Sequence, residues 1–342
     1  MDSTNDRKIE HINIIQRDAH VERGGSYFDR IQLMHRALPG IALEDVDTRC
    51  QFLGRELSFP LLISSMTGGD HQLIRTINQN LAKAAQQCKV AMAVGSQRVM
   101  FTNPKARESF ELRTFAPDVP LIGNIGAVQL NKGFDAQMCQ QTVDVLDADG
   151  LYLHLNPLQE AIQPEGDTDF RSLDAKIRSV VSQLKVPVLL KEVGSGLSPM
   201  DVEQGLDCGV SYFDVAGRGG TSWSRIEHHR NHTDGDELGI CFQDWGLDTV
   251  SALKMLKPYA ERATFISSGG VRNGIDMVKS VILGASVCGV AAPLLKPAMH
   301  SSEAVVQEIE RLRKEFTTAM FLLGTKEIKC LLNNSALMYE AR

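Results

Sequence analysis

At 342 residues and 43% apolar content, the chain is long enough for one large α/β domain with a substantial core. Its net charge of −6, with both signs interspersed, argues against a nucleic-acid partner. The seven cysteines (50, 88, 139, 208, 241, 288 and 330) never form a Cys-x-x-Cys pair, and there is no leader-like or membrane-length apolar run, so a soluble protein of the reducing cytoplasm is expected, without a disulfide framework or thiolate metal site.

Residues 1–59 are polar and mixed, with Arg7, Lys8 and His11 ahead of any clear core element. They are expected to form an extension on the main domain, mobile until an anion orders it. From Phe59 a rhythm begins. Short β-rich runs are predicted at Pro60–Met66, Val90–Gly95, Pro120–Gly126, Gly150–Asn156, Val186–Val193, Ser211–Gly217, Thr264–Gly269 and Ser286–Ala291. Between them, helical apolar spacing runs over Gln72–Gln87, Pro104–Phe115, Asp135–Leu146, Phe170–Leu184, Pro199–Asp207, Leu247–Tyr259 and Val271–Leu283, and Ser301–Leu323 closes the series. Eight alternating units over about 250 residues predict a closed (β/α)8 barrel of parallel strands rather than an open sheet. The expected division is an extension over 1–59, a barrel over 60–325 and a tail over 326–342. The polar, His-rich stretch Ser222–Gly246 interrupts the rhythm after strand six, and it reads as a loop over the barrel mouth, a candidate lid.

The stretch Thr264–Leu295 reads as strand, Gly269-Gly270 turn, helix, Gly284, strand and a stop at Pro293. Glycines at a strand end let a ligand approach the backbone, and a following helix N-terminus suits a phosphate. Two such ends side by side form the phosphate cup of a (β/α)8 barrel.

The other strand ends are polar too. Strand one ends in Ser65-Met66-Thr67-Gly68-Gly69 and strand two in Gly95-Ser96-Gln97-Arg98. Strand three offers Asn124, strand four His154, Asn156, Gln159 and Glu160, strand five Lys191 and Glu192, and strand six Gly217-Arg218-Gly219-Gly220-Thr221. Polar density at eight consecutive strand ends points to a ligand site. Arg98 suits bidentate phosphate binding. Lys191, costly to bury without an anion, reads either as a Schiff-base amine or as a fixed cation beside an electron-rich ring. Glu160 is the one good metal candidate, sufficient for Mg²⁺ that substrate phosphates and waters also hold. The run Glu227-His228-His229-Arg230-Asn231-His232 places His228 and His232 four apart, but the order is not His-Glu-x-x-His and the stretch does not read as helical, so a solvated lid is preferred to zinc. Trp223, in a Gly/Ser setting, reads as a ligand contact.

With these residues in view, the chain resembles the type II, flavin-dependent isopentenyl diphosphate isomerases. The matching motifs are Arg7-Lys8-x-x-His11, SMTGG (65–69), SQR (96–98), GNIGA (123–127), HLNPLQE (154–160), KEVG (191–194), DVAGRGGTSW (214–223), SSGGVR (267–272) and GVAAP (289–293), in order from Arg7 to about Leu332. The resemblance implies conversion of isopentenyl to dimethylallyl diphosphate with FMN, Mg²⁺, and NADPH to reduce the flavin, in a homo-oligomer (tetramer or octamer). It implies an FMN phosphate cup of Gly269, Gly270, Val271, Arg272, Ala291 and Ala292 with Thr221 alongside. Ser65, Met66, Thr67, Ser96 and Asn124 would line the ring, with Lys191 near its N1/O2 edge. Arg7, Lys8, His11, Ser96, Gln97, Arg98 and Gln159 would contact the substrate, and Glu160 would bind Mg²⁺. Gln159, Lys191 and His154 are the implied catalytic side chains.

The competing reading is an FMN-dependent 2-hydroxy-acid oxidase or dehydrogenase, which shares the barrel and the cup. Those enzymes need a His base before a Gly-Gly pair after strand six. Here Arg218 stands in that neighbourhood, and arginine is no base at neutral pH.

Overall fold

The computed structural model describes residues 3–23, 27–230 and 235–340, without the side chains of residues 3–7 and 9. Eight strands, β1 (Leu61–Ile63), β2 (Ala91–Ala93), β3 (Leu121–Gly126), β4 (Gly150–Leu155), β5 (Val188–Glu192), β6 (Tyr212–Asp214), β7 (Thr264–Ser268) and β8 (Ala285–Val290), pair parallel in chain order and close where β8 meets β1. The predicted (β/α)8 barrel is therefore present, each strand within a few residues of its expected place.

The strands are buried on both faces, and their period of two sorts side chains into two cores. Leu62, Ala91, Ala93, Ile122, Tyr152, Leu189, Ile266 and Val287 fill the barrel interior. Their neighbours Leu61, Met92, Leu121, Leu151, Leu190 and Phe213 face outward into the layer of helices. An antiparallel hairpin, Cys50–Phe52 with Arg55–Leu57, closes the lower end. Its turn residues Leu53 and Gly54 both have positive φ (48° and 76°), as a two-residue hairpin with the right twist requires. The hairpin feeds Phe52 and Leu57 into the inner core. Leu53 meets Gly150, the first residue of β4, where a Cβ would come within 3.3 Å of Leu53 Cδ1. The strand starts are thus sealed by apolar side chains, and the opposite ends are left for chemistry.

Most helices also lie where the spacing placed them, including Gln72–Cys88, Ala136–Leu146, Pro199–Asp207, Gly274–Ile282 and Ser302–Leu323. Four features differ. The segment predicted as a helix over 104–115 forms only 3₁₀ turns at Pro104–Ser109; there Ser109 Oγ accepts from Gly69 N (3.2 Å), bracing the loop after β1. Pro293 does not stop the chain but opens a further helix, Ala292–His300, because proline's missing N–H costs nothing in a first turn. The stretch after β6 is not a loop throughout, since Trp223–Arg230 and Leu238–Cys241 are helical. Finally, the amino-terminal stretch holds a helix, Ser3–Arg17, rather than running on as a mobile tail.

That helix docks on Trp223–Arg230. His11 and Ile12 are buried, Glu10 pairs with Arg230 (3.0 Å), and Asp18 pairs with Arg225 and with His229 (2.7 Å). Near the other end of the chain, Met338–Glu340 pairs antiparallel with Ile31–Leu33. Among the described residues no helix is long and apolar enough to cross a membrane.

Phe52 anchors the lower plug yet touches none of the rim. Phe52→Ala is expected to cost about 3–5 kcal/mol in urea unfolding, the range for a buried phenylalanine truncated to alanine. Ligand affinity at the opposite end should change less than threefold in a direct titration.

Candidate active site

Two residues beyond the apolar inner layer, each strand points its next inward side chain at the mouth. The step runs from Leu62 to Ser64, Ile122 to Asn124, Tyr152 to His154, Leu189 to Lys191, Tyr212 to Asp214, Ile266 to Ser268 and Val287 to Gly289. All of these except Asp214 line a cavity of about 570 Å³, large enough for a cofactor and a small substrate together.

One side of the cavity is a glycine cradle. Gly269 and Gly270, directly after β7, have φ of +93° and +81°. A Cβ on Gly269 would lie 2.0 Å from the Gly217 carbonyl oxygen, and one on Gly270 would lie 2.7 Å from that of Gly219. Only glycine allows the loops after β6 and β7 to interleave so closely. Arg272 locks them, donating to the carbonyls of Gly270 (3.0 Å), Gly219 (2.6 Å) and Arg23 (2.8 Å). Val271, Ala291, Ala292 and Thr221 complete this end, with the Thr221 hydroxyl held by the Glu22 carboxylate. Among the described residues, the side-chain oxygens of Ser64, Ser65 and Thr67 are buried without a protein partner, and all three residues line the cavity. Unpaired buried hydroxyls are costly, and a polar ligand resting on them would satisfy them. The cradle and hydroxyls therefore fit a phosphate-bearing cofactor with a polar ring.

At the floor, Lys191 is buried with its Nζ 3.2 Å from Asp214 Oδ2, so the cation that would be costly to bury without an anion has one in the protein. Asp214 also accepts from the Tyr152 hydroxyl (3.0 Å), and burial together with that carboxylate holds the Tyr152 phenol well above its usual range. His154 Nδ1 is 2.7 Å from Asn124 Oδ1, and Asn124 Nδ2 donates to the Val94 carbonyl (3.0 Å). Glu192, one residue past Lys191, faces the opposite way. There its Oε2 accepts the backbone N–H groups of Val193, Gly194, Ser195 and Gly196, and burial still pushes its carboxyl up to about 7.

The other side gathers charge. Glu160 is buried and lines the cavity; it accepts from Asn156 Nδ2 (2.9 Å), Gln163 Nε2 (3.0 Å) and the Asp167 N–H (2.6 Å). Among the described residues no three His, Cys, Asp or Glu side chains converge on a metal position, so an ion at Glu160 would take its remaining ligands from substrate oxygens and water. Arg98 reaches the cavity with its guanidinium 3.2 Å from Asp167 Oδ2, and Lys132 pairs with the same carboxylate at 2.9 Å. Lys8, His11 and Ser96 also line this side. The Arg7 side chain, and His232 of the histidine run, lie outside the described residues. Gln97 is a correction. Its side chain is completely buried and off the cavity, donating to the Thr142 carbonyl (2.9 Å) and accepting from the Asn124 N–H (3.0 Å). In the 3₁₀ turn that follows β2, Gln97 faces the barrel wall while Ser96 and Arg98 face the mouth.

Above the cavity sits a cap built from both ends of the fold. Glu227 of the Trp223–Arg230 helix is fully buried; it accepts from Gln159 Nε2 (2.8 Å) and Arg230, with His11 Nε2 3.2 Å away. Burial works to raise its carboxyl, but His11, Gln159 and Arg230 outweigh it and hold the group down at about 2. Burial also lowers His11, against the pull of Glu227. Gln159 is held from the other side by Asn156 Nδ2 (3.1 Å), and the Trp223 ring stands edge-on to His11 at 5.2 Å. The sequence reading missed Asp214, Tyr152 and the role of Glu227. The two-residue step would have found the first two, whereas Glu227 is visible only once the helices pack.

Comparison with known proteins gives two kinds of likeness. A family model described as FMN-dependent dehydrogenase matches residues 13–104 and 131–338. The isopentenyl-diphosphate delta-isomerase of Paracoccus zeaxanthinifaciens is 59% identical, covering 97% of this chain and 96% of that protein. The enzyme of the same description from Hydrogenovibrio crunogenus is 58% identical, covering 97% of each. Among solved structures, the flavin-binding domain of baker's yeast flavocytochrome b2 superposes with a TM-score of 0.66 at 18% identity, covering 91% of this chain and 76% of that one, a likeness of fold alone.

The cap makes a pH prediction. Glu227 has a folded pKa below its ordinary value of 4.5, so its contribution to stability is complete above pH 4.5 and is lost as pH falls toward 2. Trp223 fluorescence should therefore report loosening of the cap through that window. In Glu227→Gln the cap signal should be weakened already at pH 7 and should no longer change between pH 4.5 and 2; an unchanged acid transition would show that Glu227 is not the responsible group.

Proposed function

The chain belongs to the FMN-dependent dehydrogenase family and, within it, to the isopentenyl-diphosphate delta-isomerases, and from that membership we propose that it converts isopentenyl diphosphate to dimethylallyl diphosphate on FMN bound in the barrel mouth. The observation that carries the reading is one cavity with two separate sides suited to anions, the glycine cradle with Arg272 and the Arg98–Lys8 side, and with buried Lys191 on its floor.

In this reading the cradle residues Gly269, Gly270, Val271, Arg272, Ala291 and Ala292, with Thr221, hold the FMN phosphate. Ser65, Met66, Thr67, Ser96 and Asn124 border the ring. NADPH supplies the electrons that reduce FMN, and when bound and reduced the cofactor supplies the group that exchanges a proton with the substrate. The reaction consumes no electrons, because the double bond only moves: a proton is added at one end of the allyl unit and another is removed two carbons away.

The chain's own residues make that shift selective. Arg98, Lys8, His11 and Ser96 clamp the diphosphate, with Arg7 assigned to the same role, and Glu160 holds Mg²⁺ against it. Anchoring the polar end leaves the five-carbon end to be positioned by the walls. Ile12, Ile15, Trp223 and Leu295 line the cavity and keep water from a cationic intermediate. Gln159, pinned between Asn156 and Glu227, presents an amide of fixed orientation beside the hydrocarbon. The ammonium of Lys191, at the N1/O2 edge of a bound flavin, would favour the anionic reduced form. His154, hydrogen-bonded to Asn124, fixes the side wall.

The hydroxy-acid oxidase reading loses its base. Arg218 does not line the cavity; its guanidinium stacks on Tyr27 (4.9 Å to the ring centre) and donates to the Asp244 carbonyl.

Incubation with isopentenyl diphosphate, FMN, Mg²⁺ and NADPH without oxygen should yield dimethylallyl diphosphate, with NADPH oxidised no further than the flavin requires. Absence of that product, together with oxygen-dependent oxidation of a 2-hydroxy acid, would reverse the assignment. Arg98→Ala should raise KM by about 10- to 100-fold, the loss of one charge-assisted contact of roughly 1.5–3 kcal/mol. Its kcat should change less, since the diphosphate is held alike in ground and transition states.

A further inference from the structure

Beneath the cavity lies a closed polar layer built by four consecutive strands. Asp214, the last residue of β6, is completely buried and does not reach the mouth. Its Oδ2 accepts from the Tyr152 hydroxyl of β4 at 3.0 Å and lies 3.2 Å from Lys191 Nζ of β5. Its Oδ1 accepts from the Ser268 hydroxyl of β7 and, at 3.3 Å, from the Ala216 N–H. Lys191 Nζ donates onward to Ser268 Oγ at 3.5 Å and lies 5.9 Å from the centre of the Tyr152 ring. Both carboxylate oxygens are thus engaged, and among the described residues Lys191 is the one cation in direct contact.

We infer that Asp214 is a positioning residue for the isomerisation, fixing the Lys191 ammonium at the cavity floor and offsetting part of the positive charge that it presents to the flavin. The inference rests on the proposed placement of Lys191 beside the N1/O2 edge of the flavin ring. A buried ammonium without a partner would be expensive, and one held only by a neutral hydroxyl would leave its full charge facing the ring. That charge would stabilise the anionic reduced flavin, and the more stable an anion is, the weaker it is as a base. A carboxylate behind the ammonium moderates the field while preserving the geometry. Tyr152 and Ser268 hold that carboxylate from two sides, so its distance from Lys191 cannot relax.

The test is a charge cycle read by the reduction potential of bound FMN at saturating cofactor, with kcat alongside. Asp214→Asn should move the potential positive and lower kcat at least tenfold, with KM for the diphosphate within threefold of the parent. Lys191→Met should move the potential negative, and the double variant should return it close to the parent value. Should Asp214→Asn fail to fold around an unpartnered Lys191, the double variant compared with Lys191→Met removes the same carboxylate from a neutral background, and its potential must lie above that of Lys191→Met. If Lys191→Met shifts the potential while removal of the Asp214 carboxylate moves it nowhere, or moves it negative, the inference is wrong and the flavin placement stands. If neither substitution moves the potential, the placement of Lys191 beside the ring is wrong as well.

Discussion

A closed parallel barrel has a single interior, and the side chains filling it arrive in steps of two along every strand. That periodicity governs this molecule. At the level of Leu62, Ile122, Tyr152, Leu189, Ile266 and Val287 the interior is apolar, and it is sealed below by Phe52 and Leu57 of the hairpin. One step further the same strands present Ser64, Asn124, His154, Lys191, Asp214 and Ser268. Apart from Ser64, whose hydroxyl finds no partner among the described residues, polar groups this deep are tolerated because they arrive as a layer and satisfy one another. Asp214 accepts from Tyr152 and pairs with Lys191, His154 meets Asn124, and Asn124 also ties back to the Val94 carbonyl. The apolar layer bears the stability, and the polar layer is affordable only above it.

The loops that continue these strands divide the mouth by charge. On one side the backbone itself is the binding surface, since Gly269 and Gly270 bring main chain against the Gly217–Gly219 loop and Arg272 ties the carbonyls together. On the other side the surface is made of side chains, with Arg98, Lys132 and Gln129 around Asp167, and Glu160 held by two amides and a backbone N–H. Rigid backbone suits a resident cofactor whose phosphate is never released during turnover. Longer side chains, already paired with carboxylates when no ligand is present, suit a substrate that must enter, displace some of those pairings and leave.

The barrel could be read from the sequence because strands buried on both faces leave compact β-branched runs that no helix of the chain imitates. The cradle could be read because glycines at two strand ends have few other uses. What escaped depended on packing between distant segments. The Ser3–Arg17 helix is too polar to announce itself; its buried residues, His11 and Ile12, are covered by a helix more than two hundred positions away. That second helix, Trp223–Arg230, is equally polar, so each looked like loose chain without the other. Gln97 was misassigned because Ser96 and Arg98 flank it and both face the mouth, while a 3₁₀ turn sends the middle residue into the wall. Asp214 was overlooked for a different reason: it sits in a motif whose glycines drew the attention, although counting by two from Tyr212 places it inward.

The barrel fold is shared with flavocytochrome b2, and what this chain does with it depends on which rim positions turn inward. After β6, the position next to the Gly-Gly pair carries Arg218, turned away onto Tyr27 and the Asp244 carbonyl, so no titratable base faces the cavity from there. The polar reach into the cavity comes instead from Gln159, an amide that neither gains nor loses a proton near neutral pH and is held by Asn156 below and Glu227 above. Glu227 is supplied by the insertion after β6 and steadied by Arg230, with His11 of the amino-terminal helix beside it. The cap is therefore more than a cover: through Glu227 it fixes the orientation of Gln159, one of the amides that line the cavity. An oxidation needs a base and a route for its electron acceptor, whereas a moved double bond needs a fixed field and a dry enclosure. The rim, the amide and the cap of this chain suit the second set of conditions better than the first.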